Sequence, residues 1–391
     1  MANNRIYYPI QQVAFRKPGS VGGVGSDIVE AHGVQSVSIT TTFNLEQAFE
    51  LGQLAIYENI EGVPDVEVSL SKVLDGYPTL FMLATATDAD GGNLSGPQLA
   101  KRAPAETIVQ LGIFSEDLES SSGVPKQYVE MSGLTVSSVA YNFPLEDNFS
   151  EDVTLAGNNK VWGAYANEDA LGVTCNSPFS GTGVDGQFTG NNDAPIGSGG
   201  VNRRENMIFA TTTAQAGDAD YTRLPGDIFG VSDGGVKSGL VRVSSMTVST
   251  DLAREDLFEL GARTPYAKTV TFPVEVTCDI EVTSVSGDLV NAIDDCGNET
   301  QCVTPNNLKD RIIRIATCEG TRIYLGEKNK LSSVSYGGGD AGGGNVTVTY
   351  SYQTFNDFTV LHSGDTFNAL GQTWWGSRSG FLGPDGTTQG V

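Results

Sequence analysis

Residues 37–52 read VSITTTFNLEQAFELG and residues 246–261 read MTVSTDLAREDLFELG. The two stretches align residue for residue at an offset of 209 (246 − 37). Both close on the same four letters, Phe49-Glu50-Leu51-Gly52 and Phe258-Glu259-Leu260-Gly261. The same offset sets Tyr57 against Tyr266 and Pro64 against Pro273. One slip later VEVSL (66–70) meets VEVTC (274–278). Further on, VSSVAY (136–141) answers LSSVSY (331–336), and NFSEDVTL (148–155) answers TFNDFTVL (354–361). Blocks recurring in one order read as the same domain present twice. A duplication kept within one chain points to a product that uses the unit in pairs, toward assembly and away from a solitary catalytic pocket.

The repeat sets the organisation. Residues 1–33 form an N-terminal arm, with Tyr7-Tyr8-Pro9-Ile10 as its most structured stretch. The first unit covers 34–160 and the second 241–365, with a Gly-rich C-terminal tail at 366–391 that carries Trp374-Trp375. Residues 161–240 between the units contain the low-complexity stretch SGTGVDGQFTGNNDAPIGSGG (180–200), then a second arm-like segment around Val201–Asn206 and Thr222–Pro225.

Within the units the apolar pattern has period two. Val66, Val68 and Leu70 alternate with Glu67 and Ser69, as Val346, Val348 and Tyr350 do with Thr347 and Thr349, which predicts half-buried antiparallel strands. One short helix is expected in each copy. Asn44 is a good N-cap with Gln47 three residues on, and Thr250 or Asp251 plays that part in the second copy. Leu45, Ala48 and Phe49 share a face, as do Leu252 and Leu257 with Phe258 nearby, while Gly52 and Gly261 stand where a left-handed C-cap ends each helix. Such apolar faces belong in cores, so Phe49 and Phe258 are expected in the same buried place.

Composition agrees with a β protein of many turns. At 391 residues the chain holds two or three domains, and its 48 glycines suit short strands joined by loops. The net charge of −24 repels nucleic acid and anionic membranes, and self-repulsion keeps a free subunit soluble. The first twenty residues lack a basic region followed by an apolar stretch, so no secretory signal is read there. Leu80-Phe81-Met82-Leu83-Ala84, the longest apolar run, is too short to span a bilayer. Cysteines 175, 278, 296, 302 and 318 are odd in number and contain no CxxC, which fits a reducing cytoplasm.

The chemical motifs are weak. Asp88-Ala89-Asp90-Gly91-Gly92-Asn93 resembles a shortened calcium loop but has no downstream bidentate Glu, and it reads as a turn. Cys296 and Cys302 lack zinc partners. GGGDAGGGN (337–345) has no Lys-Ser/Thr sequel and reads as a long hairpin tip, not a phosphate cradle. The two histidines, His32 and His362, sit in no nucleophile motif, and GxSxG and HExxH are absent. No enzyme, cofactor or metal is expected.

The run ITTTFNLEQAFELGQLAIYENIEGVPDVEVSLSKVLDGYPTLFMLAT (39–85), and most of all Val66 to Gly76, resembles bacteriophage tail tube proteins. The resemblance implies a mainly β fold of two tandem tube-type antiparallel β-sandwich or barrel domains, each with one short α-helix and joined by Gly-rich loops. It implies a structural virion protein that assembles in the host cytoplasm into stacked rings of six such domains, hence three chains with pseudo-sixfold symmetry. Its partners are then itself and other tail proteins, such as baseplate and terminator. DNA passes through the lumen without specific binding, and the subunit binds no membrane. Gly337, Gly338, Gly339, Asp340, Gly342, Gly343 and Gly344, with the stretch 85–100, are expected to reach the adjacent ring. Two other classes fit the same composition. A baseplate hub or distal tail protein of this domain type forms a single ring, so copy number separates it from a tube. A bacterial cell-surface carbohydrate-binding β-sandwich exposes aromatics over a groove, for which Trp374-Trp375 is the one candidate.

Overall fold

A computed structural model of the chain describes residues 6, 8–16, 28–52, 54, 56–86, 99–114, 127–164, 200–210, 221–225, 242–262, 265–284, 287, 290, 309–337 and 345–362. Its strands are β1 (Gln11–Arg16), β2 (Ile28–Glu30), β3 (Val34–Thr42), β4 (Leu45–Phe49), β5 (Ile56–Glu61), β6 (Asp65–Val73), β7 (Thr107–Ile113), β8 (Gln127–Pro144), β9 (Ser150–Gly157) and β10 (Asn159–Ala164) in the first half. The second half holds β11 (Arg242–Asp251), β12 (Arg254–Leu257), β13 (Ala267–Val270), β14 (Glu275–Thr283), β15 (Arg314–Ala316), β16 (Thr321–Tyr324), β17 (Lys330–Gly337), β18 (Thr347–Phe355) and β19 (Thr359–His362). The α-helices among the described residues, α1 (Leu80–Ala84) and α2 (Leu99–Arg102), both lie in the first half, and single 3-10 turns form at Tyr8–Ile10 and Arg204–Asn206. Mainly β and antiparallel is therefore the observed class.

The main sheet runs β3-β6-β9-β8-β11-β14-β18-β17, every neighbour antiparallel. β8 is long enough to serve two sheets. Its residues 135–144 pair with β9 and β11, while residues 127–134 pair with β7 and β10 and lead on to β1 and β2. Gly133, at φ +64, stands at the changeover, a conformation open to glycine at little steric cost. A separate sheet, β15-β16-β19, and the hairpins β4–β5 and β12–β13 complete the fold.

Period-two alternation places one face of the main sheet in the core. Val66, Val68 and Leu70 are buried beside Val153, Leu155, Val139 and Tyr141, and the same layer continues through Met246, Val248, Cys278, Ile280, Tyr350 and Tyr352. One apolar cluster spans both halves. The run Leu80–Ala84, too short for a bilayer, is the fully buried helix α1, capped by the Thr79 hydroxyl accepting from the Met82 N–H at 3.4 Å. Its Phe81 meets Phe358 edge to face at 5.3 Å, which brings residues of both halves together.

The helix expected at residues 44–52 and 250–261 is not there. Leu45–Phe49 is β4, paired with β5, and the second stretch forms β12, paired with β13. Gly52 and Gly261 do take positive φ, +92 and +95, but beyond the first strands of hairpins, not at helix ends. A helix of one or two turns with no buried face cannot offset its nucleation cost, and it would strip β5 and β13 of their partners. Phe49 and Phe258 consequently lie in equivalent hairpins and are 64% and 56% exposed, not in the core.

Two block alignments also shift. Cross-strand pairing relates β6 to β14 by 210 residues, setting Val66 against Val276 and Leu70 against Ile280, in place of the one-residue slip that matched VEVSL with VEVTC. NFSEDVTL lies in and before β9, whose counterpart by sheet position is β18; residues 359–361 belong to β19, in another sheet, after the turn at Asn356 with φ +63.

Candidate assembly interface

The two ends of the main sheet are strands of different kinds. Among the described residues β3 pairs only with β6, and β17 only with β18. The order within each half is first, second, fourth and third strand, and the halves join through the third strand of one, β8, and the first of the other, β11. One end of the molecule thus displays a first strand and the other a third strand.

Strand irregularities coincide as well. The β3–β6 register shifts between Val34 and Ser36, and the β11–β14 register between Val243 and Ser245, again 209 residues on. β8 shifts against β9 between Val136 and Ser138, and β17 against β18 between Leu331 and Ser333, 195 residues on.

Burial differs systematically between these counterparts. Met246, Val248 and Thr250 in β11 are buried, whereas Val37, Ile39 and Thr41 in β3 are only half-buried. Tyr141 is 0% exposed and Tyr336 is 51% exposed. Just past the strands, Leu252 is 2% exposed and Phe43 is 71% exposed. Leu252 owes its burial to β8, whose Ser137 carbonyl accepts from its N–H at 2.7 Å, and Arg254 Nε donates to the Val136 carbonyl at 2.8 Å. Among the described residues no strand lies on that side of β3. An unpaired strand edge with apolar flanks is a template for another chain.

The opposite face of the main sheet is polar and acidic. The register places Asp65 and Glu67 (β6), Asp152 (β9), Asp251 (β11) and Glu275, Asp279 and Glu281 (β14) on it, among Ser69, Thr154, Ser249 and Thr277. None of these acids joins an ion pair found between described residues. Asp152 accepts from Asn142 Nδ2 at 3.1 Å, and Glu281 from Ser245 Oγ at 3.0 Å. Arg242 and Lys330 lie at strand ends. A shallow depression over the β8–β11 seam is lined by Ser138, Ala140, Asp152, Thr154, Ser249, Asp251, Glu275 and Thr277, among others. It offers carboxylates and hydroxyls, with no His or Cys among its lining residues.

Two groups with shifted pKa values, Glu151 and His362, tie distant segments of the fold together. Glu151 is fully buried, and its carboxylate accepts from the Leu80 and Phe81 N–H groups at 2.6 and 2.9 Å and from the Tyr141 hydroxyl at 2.7 Å. Burial holds its pKa above the ordinary range, with the hydrogen bonds opposing. It clamps α1 to β8 and β9. His362 bonds the Gly76 carbonyl at 2.8 Å, and burial pushes its imidazole down to about 4. His32 stacks on Tyr77 at 4.1 Å. Cys278 is buried, and desolvation raises its thiol pKa far above the ordinary range, while Cys318 is exposed.

Among the described residues no group of three or more His, Cys, Asp or Glu is placed to hold a metal, and no helix is long and apolar enough to cross a membrane. Of the expected contact loop only Gly337 is described, exposed at the end of β17. Residues 338–344, the turn at 88–93, Cys175, Cys296, Cys302 and Trp374-Trp375 lie outside the described residues. Pro64 and Pro273 both immediately precede or lie close before the second strand of their half, β6 and β14. Sequence reading missed the open edges, because β3 and β11 carry the same signal and differ only in what lies beside them.

No protein-family model and no curated protein matches the chain. Among solved structures it is similar to a chain of the anti-feeding prophage tube-terminating cap, at 11% identity and a TM-score of 0.29 over 42% of this chain and 94% of that one. A chain of the sheath–tube complex of the PVC extracellular contractile injection system gives 12% identity and a TM-score of 0.28 over 42% and 94%. A chain of the native gene transfer agent virion gives 10% and 0.24 over 39% and 95%. Nearly the whole of each of those chains maps onto less than half of this one.

Proposed function

We propose that the chain is a structural tail component, a tube protein built from two copies of one unit, at residues 34–160 and 241–365. Three chains form a ring of pseudo-sixfold symmetry, and rings stack into a conduit for DNA. The observation that carries this reading is the head-to-tail strand order, which leaves a first-strand edge at one end and a third-strand edge at the other. Such a contact is heterologous, so repetition makes a ring when the rotation closes. Closure into a barrel pairs every edge strand. The acidic, hydroxyl-rich face then lines the lumen, where it repels a polyanion at short range and lets it slide. Baseplate and terminator proteins are the partners at the tube ends, within a virion assembled in the host cytoplasm, and no catalysis is involved.

Negative-stain electron microscopy with mass photometry of the purified protein tests this. Trimers that average to threefold rings of six lobes and stack into tubes are expected. A ring of six full-length chains, or no ring at any concentration, overturns the proposal. Single rings that never stack assign the chain to a hub.

A further inference from the structure

We infer that the β8–β11 seam inside the chain is the template for the seam between chains, and that β3 of one copy adds to β17 of a second copy in the same register. The inference rests on the ring reading above. Within the chain Val248 lies opposite Tyr141, Ser249 opposite Ala140, Thr250 opposite Val139 and Asp251 opposite Ser138. Shifting the β11 positions back by 209 and the β8 positions forward by 195, the offsets at which the strand irregularities coincide, gives the contact between copies. Ile39 then faces Tyr336, Thr40 faces Ser335, Thr41 faces Val334 and Thr42 faces Ser333.

The chemistry of both faces agrees with this register. Ile39 and Thr41 lie on the half-buried face of β3, and Tyr336 and Val334 lie opposite the buried Val348 and Tyr350 of β18. Ile39, Tyr336 and Val334 therefore extend the apolar layer, and Thr41 lies on the same face with its hydroxyl accepting from Lys160 Nζ. Thr40, Thr42, Ser333 and Ser335 fall on the polar face and bring no charge against charge. A slip of one residue would turn the apolar set toward the polar face, a cost that fixes the parity of pairing. Phe43 completes the fit. Its counterpart Leu252 is seated on β8 through the Ser137 carbonyl, and the same shift gives Phe43 the Ser332 carbonyl of the second copy. Ile39, Thr41 and the flanking Phe43 thereby gain the neighbours that their counterparts Val248, Thr250 and Leu252 already have.

Paired cysteines read the register directly. Thr40→Cys with Ser335→Cys is the aligned pair; Thr40→Cys with Ser333→Cys, or with Gly337→Cys, is slipped by two residues. After oxidation, on a denaturing non-reducing gel, the aligned pair shifts the monomer band to dimer and trimer and no further. The slipped pairs stay at the baseline of the oxidised native protein, whose own thiols are the control. Peptide mass spectrometry should find the 40–335 link. In parallel, Phe43→Asp abolishes trimers while the monomer keeps its thermal midpoint, and Leu252→Asp lowers that midpoint. Linkage through a slipped pair, or a Phe43→Asp monomer that fails to fold, overturns the inference. Rings seen by microscopy without the aligned link overturn the register and leave the ring standing; no rings and no link overturn both.

Discussion

At Glu151 a buried carboxylate accepts from two helix N–H groups and one tyrosine hydroxyl. Glutamine in its place presents an NH2 group to one of those donors, so Glu151→Gln should cost about 1–3 kcal/mol, read as a lower urea midpoint with ring formation unchanged in the folded fraction. His362 gives the pH dependence. Its folded pKa of about 4 lies below the ordinary 6.5, so between these values the unfolded chain takes up a proton that the folded one refuses. Stability from this site is complete above 6.5 and is lost as pH falls toward 4, to a total of about 3 kcal/mol. Unfolding midpoints measured across that window should fall less steeply in His362→Asn than in the native protein. Neither role was visible in the sequence. Glu151 reads as one acid among many, and His362 as an isolated histidine, because the partners of each lie in distant segments.

Among elements, the strands were the legible part. Val66, Val68 and Leu70 alternate with polar residues and are buried as that alternation demands. The hairpins were misread because LEQAF combines helix-forming residues with apolar spacing that also fits a turn of helix, and only the partner strand decides between them. Their exposure reverses an expectation with energetic content. Phe49→Ala and Phe258→Ala should each change subunit stability by no more than about 0.5 kcal/mol, against the several kcal/mol of a core truncation. Chemical denaturation of the two variants checks this. β8 carries the opposite case. A Cβ on Gly133 meets nothing within 4 Å, so Gly133→Ala should cost about 1–2 kcal/mol through the backbone alone. A larger loss would mean that the changeover between sheets tolerates no adjustment.

For the whole molecule, the charge of −24 gave the sign of the surface but not its placement. The sheet register locates Asp152, Asp251 and Glu275 together over the β8–β11 seam. Reversing these three to lysine should leave the fold intact and create binding of a labelled single-stranded oligonucleotide that weakens steeply with salt, where the native protein shows none. Binding by the native protein would remove the acidic face from any role as a DNA-repelling wall. The open edges could not be read from sequence for the same reason: position along a chain says nothing about which copy of a motif is left without a neighbour.

Because β8 and β11 are joined within one polypeptide, half the seams of the proposed ring escape mass action. That seam closes when the chain folds, at an effective concentration set by the connection and independent of dilution. Only the β17–β3 seams depend on encounter, so ring formation should follow the cube of subunit concentration, where a ring of six separate single units would follow the sixth power. The threshold for assembly is correspondingly shallower, and rings should persist on dilution to levels at which a single-unit design has already come apart.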